Sequence, residues 1–145
     1  MIRRFGETVV PDLKYRYRPG AYAVLLRGSE ILLTHQSAPY PEYQLPGGGI
    51  DPGESPVQAL HREVWEETGW RISRPRKLGV YRRFVYMPEY NLNAEKLCHI
   101  YVARPISPLS EPSEPDHSAI WARADIALGL IKNPGDLHFM RQVLR

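Results

Sequence analysis

Residues 48–70 read GGIDPGESPVQALHREVWEETGW, a stretch with three closely spaced glutamates. Glu66 and Glu67 follow Glu63 by three and four positions, so a helix places all three side chains on one face. Like charges crowded in this way repel, and a bound divalent cation is the simplest compensation. Because every side-chain ligand would be an oxygen atom, the stretch predicts a site for Mg²⁺ or Mn²⁺ rather than zinc.

The same residues predict where the helix begins and ends. Ser55 is suited to the N-cap position, with Pro56 as the first helical residue and Gln58 completing a capping box. Gly69 is a natural left-handed residue at the C-terminal end. The apolar stripe that this helix would bury consists of Val57, Leu60 and Val64.

The spacing of these residues resembles the Nudix box of the Nudix hydrolases at every fixed position. Gly48 is followed by five residues and Glu54, then by seven residues and REVWEETGW over 62–70. Where the family usually carries an aliphatic residue, this chain has Trp70, which predicts a change in local packing rather than in chemistry. The resemblance implies an α/β fold, a Nudix-like α/β/α sandwich with a mixed sheet, over nearly the whole chain.

The box suggests a metal site and the residues that support it. Glu63, Glu66 and Glu67 are the predicted metal ligands, and the resemblance adds the backbone carbonyl of Gly47. By the same resemblance Arg62 orients Glu63 through a charge-assisted hydrogen bond, although an ordinary surface ion pair is the alternative.

Glu54 stands just before the helix, where the helix dipole favours a carboxylate. It is either structural or part of the site, holding a water at the metal, and we assign it to the site.

The sequence leaves the general base open. Glu66 is the candidate within the box, whereas Glu114, Asp116 and His117 lie in a late loop where the family often keeps an extra acid. These three residues are equally explained as solvated loop positions, and a carboxylate is preferred over the imidazole. Tyr22 and Tyr43 are candidates to pack on a nucleobase, with core packing as an equal alternative.

The expected activity is metal-dependent cleavage of a phosphoanhydride bond in a nucleoside diphosphate linked to another moiety. Nucleoside triphosphates, dinucleoside polyphosphates and nucleotide sugars all fit this description. An RNA 5′-end pyrophosphohydrolase is an alternative that is not favoured. A catalytically silent domain that binds nucleotides is a second alternative, but such a domain has no need of costly clustered carboxylates.

Composition sets wider bounds. The 145 residues suit one domain, 1–145, with 43% hydrophobic and 24% charged residues and a net charge of +3. The basic surface favours a phosphate-rich partner, although simple solvation explains it as well. Cys98 is the only cysteine, so no intramolecular disulfide can form, and a buried thiol is expected. Without a signal peptide or a membrane-spanning stretch, we expect a soluble, cytoplasmic protein without a membrane partner, for which a homodimer is allowed but not required.

Periodicity predicts the remaining elements. Strands are expected at 21–26, 31–36, 78–86, 97–103 and 118–121, and helices at 124–131 and 135–144. A hairpin turn is expected at Gly28-Ser29, and 78–86 should pair antiparallel with 97–103. Residues 14–18 alternate as in an edge strand, with a nucleotide or RNA contact as the minor alternative. Proline and glycine predict irregular loops at 37–49 and 105–115.

Overall fold

Eight strands form one mixed sheet in the computed structural model, which describes residues 2–144. They are β1 (Arg3–Gly6), β2 (Arg16–Arg27), β3 (Glu30–Gln36), β4 (Glu42–Gln44), β5 (Gly47–Gly49), β7 (Arg76–Met87), β8 (Leu92–Ala103) and β10 (His117–Arg123). A second sheet pairs β6 (Trp70–Ile72) with β9 (Pro105–Pro108). The helices are α1 (Pro56–Thr68), α2 (Ala124–Leu130) and α3 (Pro134–Val143). Over the described residues, every helix is too short or too polar to cross a bilayer.

The main sheet has the order β1-β7-β8-β2-β3-β10, with β4 added to β3 and β5 added to β2. The long strand β2 runs parallel to β8 along 16–25. On its other side β2 pairs first with β5, at residues 20–22, and then with β3, at residues 25–27. The change of partner brings the glycine-rich strand β5 to the centre of the sheet, next to α1.

Alternate residues of β2 face opposite sides of the sheet. On one side, Ala21 and Ala23 pack with Leu60 and Val64 of α1. On the other side the core draws on β2, β3, α2 and α3, with Val24, Ile31, Leu33, Ala127 and Met140. The sheet lies between α1 and the two C-terminal helices, which confirms the predicted α/β/α sandwich.

The predicted limits of the box helix are confirmed. Ser55 Oγ accepts a hydrogen bond from the Gln58 N–H at 3.1 Å, and Gln58 Oε1 accepts from the Ser55 N–H at 2.9 Å. Gly69 ends the helix at φ 77°. The predicted apolar stripe is wrong at Val57, which lies in the first turn of the helix and is 36% exposed. Ala59 is buried instead.

The two loop predictions are wrong in part. Short strands β4 and β5 lie within 37–49, and β9 opens the segment 105–115. Strands of three or four residues that pair along one side tolerate glycine and proline, because few of their backbone donors need a partner. Residues 16–18 open the long strand β2, where they pair with β8 alone, and the outer strands of the sheet are β1 and β10. The pair Pro19-Gly20 concealed the continuity of β2.

The side chain of Trp70, the first residue of β6, packs against β10. Its ring packs edge-on against Trp121, with ring centres 5.4 Å apart. The guanidinium of Arg27 lies over Trp121 at 4.3 Å and over Trp70 at 5.1 Å, so the two indoles share one cation. The unusual last residue of the box therefore changes packing away from the carboxylates.

Cys98 is buried in β8, as predicted. It packs in one cluster with Tyr81, Ile100 and Phe139. Burial raises the pKa of its thiol to about 11, which leaves the thiol protonated and unreactive at neutral pH.

Two glycines with left-handed backbones give a stability prediction. A Cβ at Gly28 (φ 61°) would meet open space, whereas a Cβ at Gly69 (φ 77°) would collide with the backbone carbonyl of Ser110. Gly28→Ala should cost only the left-handed strain, about 1–2 kcal/mol. Gly69→Ala should add an overpacking cost of about 1–3 kcal/mol. Urea unfolding of both variants measures the difference, and equal losses would contradict the close approach of residue 110.

Candidate active site

The glycines of β5 bring bare backbone against the carboxylates of α1. The N–H of Gly47 donates to Glu67 Oε1 at 2.9 Å in a buried contact. A Cβ at Gly48 would lie 2.5 Å from the carboxylate of Glu63, and a Cβ at Gly47 would collide with the carbonyl of Ala21. The backbone of β2 requires glycine at position 47, and a side chain at position 48 would displace the Glu63 carboxylate, so these residues position backbone beside the acids in addition to turning the chain.

Arg62 makes most of the polar contacts around these carboxylates. Its Nε and Nη2 donate to the two oxygens of Glu54 at 2.7 and 2.8 Å. Its Nη1 donates to Glu63 Oε1 at 2.9 Å and lies 3.3 Å from Glu66 Oε2, while Nη2 donates to the Gly49 carbonyl at 3.0 Å. The bidentate pair with Glu54 fixes the guanidinium in place, and the guanidinium contacts Glu63 as the resemblance implied.

The glutamates of the site differ in the direction of their pKa shifts. Burial raises the pKa of Glu67 well above its usual 4.5, although the Gly47 N–H opposes the shift. Burial also raises the pKa of Glu63, opposed by Arg62. In contrast, the hydrogen bond from Arg62 lowers the pKa of Glu54 to about 2. The folded chain therefore disfavours the charged forms of Glu63 and Glu67, and a bound cation would stabilise those forms.

The side chains at this site offer the oxygen atoms that a divalent cation prefers, but they are arranged around Arg62 and the Gly47 N–H rather than around an ion. Within residues 2–144, no three acidic, histidine or cysteine side chains converge closely enough to hold an ion. Instead Arg62 engages Glu63 and Glu66, and the Gly47 N–H engages Glu67. The available ligands are carboxylate and backbone oxygens, which suit a hard cation. Two of the carboxylates, the half-buried Glu63 and the buried Glu67, have raised pKa values.

A cleft of about 480 Å³ opens in front of these acids. Glu63, Glu67 and Glu114 line it, whereas Glu66 and Asp116 do not. A cavity of this size lies within the range of small-molecule sites. Tyr22 and Tyr43, the two aromatic candidates from the sequence, also line this cleft. Tyr43 packs edge-on against His35 at 4.7 Å.

The late loop is attached to the last turns of α1. The backbone N–H groups of Ser113 and Glu114 donate to the carbonyl of Glu66 at 2.8 and 2.9 Å. This attachment brings the Glu114 side chain to the cleft, close enough to raise the pKa of Glu63 and Glu67 as a secondary cause. Asp116 has a left-handed backbone at φ 65°, and its carbonyl accepts from the Ser37 N–H at 2.9 Å. The structure therefore brings Glu114, but not Asp116, to the carboxylates.

His117 reaches the buried glutamate from β10. Its Nδ1 lies 2.9 Å from Thr34 Oγ1 and 3.6 Å from Glu67 Oε2. Burial lowers the pKa of its imidazole, so the ring is neutral at pH 7. A neutral ring held by Thr34 is a neighbour of Glu67 rather than an ion-pair partner.

Sequence reasoning missed a second polar group in the cleft. Tyr81 donates from its hydroxyl to Asp136 Oδ1 at 2.6 Å in a buried contact between β7 and α3. Both line the cleft, together with Lys96 of β8 and Arg83 of β7. No local sequence pattern indicates this group, because the proximity of its members depends on strand order and helix docking.

A mixed sheet between helices, with a glycine strand facing a row of glutamates, defines an α/β/α sandwich of the kind that the box predicted. The chain belongs to the NUDIX domain family, which matches it over residues 16–143.

Solved structures share this fold over most of the chain. A MutT mutator protein from Bacillus halodurans superimposes with a TM-score of 0.72 at 23% identity, over 88% of this chain and 82% of that one. A MutT NUDIX hydrolase from Burkholderia pseudomallei gives 0.67 at 27% identity, over 88% and 98%. The mixed sheet and its flanking helices are therefore those of the MutT-like structures.

Curated relatives match over a shorter stretch. A candidate 8-oxo-dGTP diphosphatase of Bacillus subtilis is 40% identical over 76 residues, which cover 52% of this chain and 51% of that protein. An RNA pyrophosphohydrolase of Cereibacter sphaeroides is 42% identical over 65 residues, covering 43% and 40%. The chain thus spans about half or less of the length of these relatives.

Proposed function

We propose that this chain is a divalent-metal-dependent hydrolase that cleaves a phosphoanhydride bond in a nucleoside diphosphate linked to another moiety. The observation that carries the proposal is a pair of carboxylates, the half-buried Glu63 and the buried Glu67, which line a cleft of about 480 Å³ beside the bare backbone of β5. Membership of the NUDIX domain family and the names of the relatives support the reaction class.

The proposed metal is Mg²⁺ or Mn²⁺, held by Glu63, Glu66, Glu67 and the carbonyl of Gly47. When bound, such an ion supplies neutralising charge for the phosphate oxygens and lowers the pKa of a water molecule. Glu63 and Glu66 both contact Arg62 in the structure, so binding of the ion would change the surroundings of both.

The chain's own residues prepare the site for the reaction. The Gly47 N–H fixes one oxygen of Glu67, and Arg62 fixes Glu63. Glu54 acts through Arg62, since its two oxygens hold the guanidinium. We propose Glu54 and Arg62 as residues that position the ligands.

The proposed base is Glu114, which lines the cleft and takes the proton of the attacking water. Glu66 is the alternative within the box. Asp116, the other acid of the late loop, lies outside the cleft lining and becomes a natural control.

Metal binding gives a prediction that does not depend on the substrate. A ligand that binds only the folded state at a hundred times its Kd stabilises it by about 2.7 kcal/mol. Mg²⁺ or Mn²⁺ should therefore raise the melting temperature of the wild type, and of the exposed control Glu30→Gln, more than that of Glu67→Gln. Equal shifts in all three proteins would place the ion elsewhere.

A substrate panel tests the proposed reaction and separates its alternatives. The panel contains nucleoside triphosphates, including 8-oxo-dGTP, together with a dinucleoside tetraphosphate, a nucleotide sugar and a 5′-triphosphorylated RNA. Products are identified with each metal. Preferred turnover of the RNA would favour the end-processing alternative, and binding without turnover of any member would favour a silent domain.

A further inference from the structure

Three basic residues form a row across the centre of the sheet. Arg83 of β7 lies directly opposite Lys96 of β8, and Lys96 lies directly opposite Arg18 of β2. Residues opposed in this way project from the same face of a sheet, with Cβ atoms of neighbouring strands about 4.5–5.5 Å apart. All three side chains line the cleft. We refer to Arg18, Lys96 and Arg83 as the cationic row.

Such a row is unfavourable by itself, because like charges opposed across strands destabilise a sheet. The Nε of Arg83 is buried and has no hydrogen-bond partner among the described residues. Lys96 Nζ lies 5.6 Å from the centre of the Tyr22 ring. The Arg18 guanidinium lies 4.8 Å from the centre of the Tyr90 ring. The row therefore contacts aromatic faces, and between residues 2 and 144 no carboxylate lies within 4.0 Å of its nitrogens.

The acids that share the cleft compensate this charge only in part. Asp136 is buried and its Oδ1 accepts a hydrogen bond from the Tyr81 hydroxyl. Burial raises the pKa of its carboxyl, opposed by Tyr81, Lys96 and Arg83, but no ion pair within 4.0 Å joins Asp136 to the row. Glu42 and Glu89 also line the cleft, but neither forms an ion pair with the row. The next residue on β7 behaves differently, because Arg82 on the opposite face lies 3.1 Å from Glu95 Oε2. On β7, therefore, the cation facing away from the cleft has a carboxylate partner that Arg83 lacks.

The row lies apart from the carboxylates of α1. Gly48, beside Glu63, pairs with Ala21 of β2, whose side chain packs toward α1. Arg18 lies three residues earlier on that strand, roughly 10 Å away at about 3.3 Å per residue, and projects from the opposite face of the sheet. Because both groups line the same cleft, one bound molecule can reach both.

We propose that Arg18, Lys96 and Arg83 form an anion subsite that binds a second phosphate group of the substrate, away from the anhydride that is cleaved. That phosphate comes either from the 3′ side of the first nucleoside, as in RNA, or from the far end of a polyphosphate chain. The substrate assignment rests on the proposed hydrolase function, whereas the existence of an anion site does not.

Binding of inorganic pyrophosphate in EDTA tests the site without metal and without turnover. Titrations followed by NMR should shift the backbone signals of residues 18, 83 and 96. Affinity should fall about tenfold in Lys96→Met and in Arg83→Met, since each removes charge-assisted hydrogen bonds. The affinity for pyrophosphate should be unchanged in Lys96→Arg and in Arg82→Met. Arg82→Met is the matched control, because it removes one cation from the opposite face of the sheet. Equal affinity in all folded variants, or shifts confined to 47–49, would overturn the proposal.

Turnover then distinguishes the two sources of phosphate. The substrates are a nucleoside triphosphate, the same nucleotide with an added 3′-phosphate, and a dinucleoside tetraphosphate. Lys96→Met should lower kcat/KM about tenfold for one of the two larger substrates and much less for the triphosphate. An equal loss on all three, or no loss on any, would contradict a second phosphate. If no substrate is turned over, the hydrolase proposal fails while the pyrophosphate titration still decides the anion site.

Discussion

Glu67→Gln is expected to lower kcat by roughly a thousandfold or more, since losing a metal ligand removes several kcal/mol of transition-state stabilisation. Glu67 is the most deeply buried of the three glutamates, and its geometry is set by the Gly47 N–H. The amide of glutamine keeps an oxygen for that hydrogen bond, so the fold should survive. Glu30→Gln, an exposed change in β3, should leave kcat unchanged.

The same substitution should change how stability depends on pH in the metal-free protein. Because the folded-state pKa of Glu67 is raised, the folded protein holds its proton while the unfolded chain releases it near 4.5. Stability of the wild type should therefore fall as pH rises above 4.5, and Glu67→Gln should flatten that decline. Urea unfolding in EDTA at several pH values measures this pH dependence of the free energy of unfolding. A wild type that gains stability above this pH through Glu67 would contradict the burial argument.

Glu114→Gln is expected to lower kcat by about a hundred- to ten-thousandfold, the usual range for losing a general base. Asp116→Asn is the matched control from the same loop, and it should be nearly silent because Asp116 lies outside the cleft lining. Calorimetry should find metal affinity nearly unchanged in both variants, because a base is not a ligand.

The opposite outcomes are equally informative. If Glu114→Gln and Asp116→Asn are both nearly silent, the water is activated from the box, with Glu66 as the candidate. His117→Ala tests the remaining candidate, which the structure places at the start of β10, and loss of the acidic limb of the pH–rate profile would identify an imidazole. The contact of its Nδ1 with Thr34 Oγ1 favours a structural role.

Residues close in sequence could be predicted well because helix geometry alone relates them. The capping box of Ser55 and Gln58, the C-terminal Gly69 and the shared face of Glu63 and Glu67 follow from spacing along one helix. The hairpin at 28–29 and the antiparallel pair of β7 and β8 were also confirmed, because short connections favour pairing between neighbouring strands.

Contacts between distant segments could not be predicted in the same way. The cationic row depends on β2 lying parallel to β8, a pairing that no local pattern encodes. The two acids of the late loop look alike in sequence, and only the hydrogen bonds to the Glu66 carbonyl and the left-handed backbone of Asp116 separate them. The contact of Tyr81 with Asp136 likewise requires α3 to be docked on the sheet.

Turnover of the best panel substrate, with metal removed and restored, tests the central proposal most directly. The wild type should release products cleaved at a phosphoanhydride bond, lose activity in EDTA and regain it when Mg²⁺ or Mn²⁺ is added in excess. Glu67→Gln, shown to be folded by its unfolding transition, should stay inactive under all these conditions. Activity that persists in EDTA, or a Glu67→Gln variant with a wild-type rate at saturating metal, would contradict the proposal.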